Sequence, residues 1–116
     1  MEPKPSNLEE RSAEFAAEVR QLVRGLPRTI SNFEDAKQLI RASGSVAANC
    51  IEANEALGEK DRVMKFRICR KEAKECELWL RLVRVDEQAP IRDGLRQEAH
   101  ELKLIFSSIV KKLETR

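Results

Sequence analysis

Apolar residues recur every three to four positions along four stretches of this chain, and clusters of Gly, Pro, Ser and Asn separate those stretches. In the first, Leu8, Phe15, Val19, Leu22, Val23 and Leu26 lie at helical spacing. Ser6 or Asn7 is placed to cap this helix, Glu9 and Glu10 suit its positive end, and Gly25 and Pro27 terminate it. The second stripe is Ala36, Leu39, Ile40, Ser43, Val46, Ala47, Cys50 and Ala53, with Ser31 and Asn32 as candidate caps and Gly58 as the stop. The third carries Phe66, Cys69, Ala73, Cys76 and Leu80, and the fourth Leu95, Leu102, Ile105, Phe106, Ile109, Val110 and Leu113. The pattern predicts helices over about 7–25, 33–57, 59–85 and 91–114. The short connection at Gly58 makes helices two and three an antiparallel hairpin, and short links throughout give an all-α, up-down-up-down antiparallel four-helix bundle. Residues 1–5 contain two prolines and read as a loose arm ahead of this single domain, 1–116.

Two helices carry more pattern than a bundle corner needs. Helix three has a second apolar group, Met64, Ile68, Leu78, Trp79 and Leu82, well round from the first. One stripe suffices for an outer helix of a monomeric bundle, and a central helix is difficult to build from four, so the second group favours self-association. Helix two has a polar line, Arg41, Ser45, Asn49 and Glu52, nearly opposite part of its apolar stripe. Ser, Asn and Ala in place of long charged residues suggest close packing there. Gly44 costs up to about 1 kcal/mol relative to Ala in mid-helix, and the close approach of a neighbouring backbone is one reason to tolerate it.

Counting back from the turn near Gly58 puts Arg41 beside Glu72 or Glu75 and Asn49 near Ile68 or Glu72. Lys71 then lies in reach of Ser45 or of a neighbouring chain. Arg41, Ser45, Asn49, Glu52, Lys71, Glu72, Glu75 and Trp79 are therefore read first as a polar seam between helices. Such a seam adds little net stability but can set register. The same residues would also serve as a partner groove. A basic ridge runs along helix three at spacings of three, four and seven: Arg67, Arg70, Lys74 and Arg81, with Lys60 near its start. Glu77 interrupts it and is expected to pair with Lys74 or Arg81. A solvated face explains the ridge in a monomer. Repeated around a symmetry axis, the ridge becomes a surface able to attract phosphates, and these five residues are the candidate nucleic-acid contacts.

Composition narrows the classes. The chain has 116 residues, enough for one domain that buries roughly 65% of its unfolded surface. With 41% hydrophobic and 36% charged residues and no Tyr, it fits long amphipathic helices and not a β-sandwich. A net charge of +2 does not by itself imply nucleic acid. Cys50, Cys69 and Cys76 all sit on apolar stripes without metal-like spacing. Cys69 and Cys76 are separated by about 10 Å of helix rise, too far for a disulfide. Buried thiols and the lack of a signal, transit or spanning segment fit a cytoplasmic protein.

Catalytic chemistry lacks its parts. A ferritin-like di-metal site needs Glu-x-x-His from two helices, but His100 is the only histidine and Gln97 stands three residues before it. Lys71 to Glu75 and Lys74 to Glu77 are ordinary helix-surface spacings. No Gly-rich loop, G-x-S-x-G turn or Cys–His pair offers an activated nucleophile. The expectation is no catalytic residue, metal, cofactor or small-molecule substrate. An enzyme would have to place a ligand near Glu52, Glu72 and Glu75.

Four segments carry a likeness to a known family. They are Leu8-Glu9-Glu10-Arg11 with Phe15-Ala16 and Leu26-Pro27; 38–49, QLIRASGSVAAN, with Glu52-Ala53; Phe66 with Lys71-Glu72, Glu75 and Leu78-Trp79-Leu80; and Glu98 with Glu101-Leu102 and 105–109. Together they resemble the small bacterial four helix bundle proteins encoded in intervening sequences of large-subunit ribosomal RNA genes. Ala47 stands where that family often has Gly, and Cys50 and Leu78 where it often has an aromatic. No polar motif residue is lost by these changes. The resemblance implies a homopentamer of up-down bundles. It also implies kinship with the accessory protein of diversity-generating retroelements, a basic pentameric barrel that binds nucleic acid and a reverse transcriptase. The leading expectation is a non-enzymatic homo-oligomeric scaffold that associates with RNA or a nucleoprotein through basic surfaces. The alternative is a protein-binding or structural module with no nucleic-acid role.

Overall fold

The computed structural model describes residues 7–116, which form α1 (Leu8–Arg24), α2 (Ile30–Asn54), α3 (Glu59–Leu82) and α4 (Ala89–Glu114). The reading of 1–5 as a loose arm, and of Ser6 as a cap, falls outside the described residues. Each helix packs against its neighbours in chain order. α1 rests mainly on α2 and touches α4 less, which closes an antiparallel four-helix bundle. Among the described residues no strand is present.

Local chemistry explains most boundaries. The Asn7 side chain accepts from the Glu10 N–H at 3.2 Å, and Gly25 ends α1 with its own N–H bonded back to the Leu22 carbonyl. α2 begins three residues before the expected 33 because Thr29, not Ser31 or Asn32, is its cap: Thr29 Oγ1 accepts from the Asn32 N–H at 3.1 Å. It ends at Asn54, not near 57, so Gly58 becomes the residue from which α3 starts. α3 stops at Leu82 because Val83 turns extended and buries its side chain. Pro90 lies inside the first turn of α4, where its missing N–H costs nothing.

The core is one contiguous cluster. Phe15, Val19 and Leu22 of α1 meet Leu39, Val46 and Cys50 of α2, Phe66, Cys69, Cys76 and Leu80 of α3, and Leu95, Leu102, Phe106 and Val110 of α4. The Phe66 and Phe106 rings stand 6.2 Å apart between α3 and α4. Burying each large side chain contributes about 1.5–3 kcal/mol, so the four stripes drive assembly. Cys69 Sγ donates to the Val46 carbonyl at 3.6 Å, a thiol serving as a small apolar side chain with a weak donor. Gly44 is not explained by a neighbouring backbone. A methyl there would meet the Arg20 guanidinium at 3.3 Å, and that group is held by the carbonyls of Ala16 and Ile40 and the Ser43 hydroxyl.

One buried amide ties three segments together. Asn32 Nδ2 donates to the carbonyls of Pro27 and Arg84, each at 2.9 Å, and its Oδ1 accepts from the Arg84 N–H at 2.8 Å. The α1–α2 link, the start of α2 and the α3–α4 link meet there. Asn32→Ala strips the Arg84 N–H and carbonyl of this partner and leaves the Pro27 carbonyl with the Thr29 N–H alone, and should cost about 2–3 kcal/mol in urea unfolding. A loss below about 0.5 kcal/mol, the range of a neutral surface change, would show that the tie contributes nothing.

Candidate functional site

The α2–α3 hairpin brings the seam residues together unevenly. Arg41 reaches across to Glu72 Oε2 at 3.2 Å and Glu75 Oε1 at 3.0 Å. The Glu72 side chain is 7% exposed and that of Arg41 51%, so the pair is a buried acid covered by a half-exposed base. The hydrogen bond to Glu72, its charge and then Glu75 raise the Arg41 guanidinium above its ordinary value. Asn49 does not cross to Ile68 or Glu72; its Nδ2 donates to the Ser45 carbonyl at 2.9 Å and hydroxyl at 3.0 Å, one turn back on α2. Glu52 pairs with Lys65 at 3.2 Å. Lys71 is exposed and makes no ion pair among the described residues. Trp79 is half-buried against the core with its indole N–H out of solvent and without an acceptor.

The ridge on α3 is more continuous than its sequence. Glu77 turns away from Lys74 and Arg81 to Lys103 at 2.9 Å and His100 at 3.2 Å, both on α4. Helix α4 offers two nitrogens at the right height, whereas Lys74 and Arg81 project to solvent. Arg67 is paired with Glu114. Lys60, Arg70, Lys74 and Arg81 carry no ion pair among the described residues. The antiparallel register set by the Arg67–Glu114 and Glu77–Lys103 pairs puts Lys111 at the height of Arg70 and Ser107 at that of Lys74. Among the described residues, the resulting α3–α4 face has cations without an ion pair along the ridge, and its carboxylates Glu77 and Glu114 are both paired.

The second apolar group of α3 divides. Ile68 and Trp79 are half-buried, while Met64 (49%), Leu78 (45%) and Leu82 (52%) face outward. Among the described residues, no three His, Cys, Asp or Glu side chains are placed to hold a metal ion, and no helix is long and apolar enough to cross a membrane. All three cysteines are buried, and desolvation first of all pushes the Cys50 thiol up to about 11 and that of Cys69 to about 12; Cys76 is raised further by the same cause and by Glu72.

Several polar anchors were not read from the sequence. Arg11 grips Glu98 with two bonds of 2.8 Å and reaches Glu101 at 3.0 Å, and the Glu98 hydrogen bond raises the arginine above its ordinary value. Arg92 donates to the carbonyls of Leu80 and Val83 and so closes the end of α3. The signal was available in part: Glu98 sits beside Ala99 in the α4 stripe and Asn32 continues the α2 stripe, both polar at core positions.

Removing Arg41 tests the seam. Arg41→Ala should cost about 1–2 kcal/mol, below the range for a fully buried pair because water screens the half-exposed arginine. A double-mutant cycle with Glu72→Gln should return a coupling near 1 kcal/mol, and additive losses would show that the pair is not coupled. The thiols set an alkaline limit. Their folded values lie above the unfolded one, so their contribution is full below about pH 8.5 and is lost as pH rises towards 11–12. Unfolding free energy should fall across that window, and Cys69→Ala should shallow the slope by close to one proton. An unchanged slope would contradict a buried neutral thiol.

Comparison with known proteins agrees with this architecture. A family model described as 23S rRNA-intervening sequence protein matches residues 6–113. A crystal structure from Bacteroides thetaiotaomicron, described as a protein of unknown function from the S23 ribosomal protein family, superposes with a TM-score of 0.77. It is 30% identical, and the match covers 90% of this chain and 95% of that one. Among curated proteins none matches. The family match runs through all four helices, from the Asn7 cap to the last turn of α4, and the chain belongs to the 23S rRNA-intervening sequence protein family.

Proposed function

We propose that this chain is a non-enzymatic helical scaffold that assembles with copies of itself and associates with RNA through the basic face of α3 and α4. The observation that carries the reading is the outer surface of α3, where exposed Met64, Leu78 and Leu82 run beside the unpaired Arg70, Lys74 and Arg81. Met64, Ile68, Lys71, Glu75, Leu78 and Leu82 follow alternating spacings of four and three, the seam of a coiled coil. Its middle layer is Lys71, which makes no ion pair among the described residues, next to Glu75. A neighbouring helix would cover the apolar ends and meet that layer, and a charged layer of this kind selects register. The family resemblance implies five copies.

Support for RNA is electrostatic. Phe15, Phe66 and Phe106 are buried, exposed Phe33 stands on α2, and Trp79 packs against the core, so none of these offers the basic face of α3 and α4 a platform for base stacking. Contacts there would go to phosphates, and assembly would multiply a small net charge into a strong local field.

Light scattering at micromolar concentration should give a mass several times that of one chain, and Leu78→Glu should reduce it to that of one chain. A wild-type monomer would refute assembly. Binding to a structured RNA should weaken steeply with salt, and Arg70→Glu/Lys74→Glu should cut affinity at least about 10-fold and lower the salt slope by about 2. No binding at low salt would refute the RNA role and leave a protein-binding scaffold.

A further inference from the structure

The corner where α1 gives way to α2 holds an open groove of about 750 Å³ that the seam and the ridge do not use. Its floor and walls come from Val23, Leu26, Ile30, Phe33, Ala36 and Ile40. Ile30 is 88% and Phe33 64% exposed, although both begin a helix whose other apolar residues are mostly covered. Three cations line it, Arg24, Arg28 and Lys37, and no carboxylate does. Arg28 has no partner among the described residues, and Arg24 bonds only the Gln21 side chain. Lys37 lies 4.4 Å above the Phe33 ring and 3.9 Å from Glu34, so its ammonium is held at the rim.

We propose that this groove docks an acidic amphipathic helix from a partner protein. Charge selects the partner's sign: an apolar trough whose charged lining residues are all cations, only Lys37 of them near a carboxylate among the described residues, rewards carboxylates flanking an apolar stripe and penalises lysines there. Shape selects a helix. From Ile30 to Ile40 the trough runs about 15 Å along α2, the length of about three turns. A helix satisfies its own backbone bonds, whereas an extended strand would leave backbone groups facing apolar walls that offer no ladder. Anchors at i, i+3 and i+10 would fall in turn on Ile30, Phe33 and Ile40. The Asn32 tie to Pro27 and Arg84 makes the site rigid before binding, which lowers the ordering cost.

The probe is a fluorescein-labelled peptide of about 14 residues, with Leu at i, i+3 and i+10 and Glu on the flanks, compared with the same peptide carrying Lys in place of Glu. Fluorescence anisotropy on the full chain should show saturable binding of the Glu peptide, at least about 10-fold tighter than the Lys peptide. Phe33→Asp should abolish binding; Phe33 is exposed, so the fold survives and an unchanged melting temperature verifies it. Arg28→Glu should erase the preference for Glu, while Arg70→Glu/Lys74→Glu should leave it intact. Equal binding of both peptides, binding to neither, or retention by Phe33→Asp overturns the proposal. So does loss on the Arg70/Lys74 variant, which would place the peptide on the α3 ridge. If Phe33→Asp instead lowers the assembled mass, the groove is covered by a second copy and the proposal also falls. RNA affinity is read separately, so failure here leaves the scaffold reading standing.

Discussion

Four residues between Asn54 and Glu59 set the height at which all of α2 meets all of α3. The link is too short to permit a slip by a helical turn, so one register determines every contact across the hairpin. It places Arg41 over Glu72 and Glu75, Lys65 beside Glu52, and the Cys69 thiol under the Val46 carbonyl. The apolar stripes supply most of the driving force, but they tolerate sliding far better than charges do. A buried carboxylate such as Glu72 is costly unless its base stands in one place. The turn and the Arg41 clamp therefore reinforce one another, one through chain length and the other through desolvation.

Charge is used in two ways on α3. On the α2 side, acids lie low and a long base covers them, so the charges are spent within the chain. On the outer and α4 sides Arg70, Lys74 and Arg81 stand without an ion pair among the described residues, because Glu77, the carboxylate that interrupts their sequence, is drawn off to His100 and Lys103, and Glu114 of α4 engages Arg67 alone. A run that alternates in sign as a sequence becomes segregated in space. The exposed leucines between these two sides give the same helix an apolar strip, and three surfaces of different chemistry share one element.

The helical architecture was readable because each stripe keeps one period over several turns and Gly or Pro falls between stripes. The Arg41 pairing followed from counting across a short hairpin. Boundaries were less legible: Thr29, Ser31 and Asn32 all suit a cap, and only the backbone decides that Thr29 takes the role while Asn32 ties distant links. Partners of Glu77, Arg11 and Arg92 lie on helices far apart in sequence, where no local spacing rule reaches. The height of Asn49 follows from the same count, but its hydrogen bonds do not, since a nearer acceptor on its own helix competes with any across the seam.

The departure of Glu77 from the ridge has a consequence for how the molecule is seen from a distance. A chain with a net charge of +2 is nearly neutral as a whole, and its overall titration curve says little about what it attracts. An approaching polyanion responds mainly to charges within about 8 Å, one screening length in physiological salt. At that range Arg70 and Lys74 present cations without an ion pair among the described residues, while the neighbouring Glu72, Glu75 and Glu77 are already paired, whatever the isoelectric point.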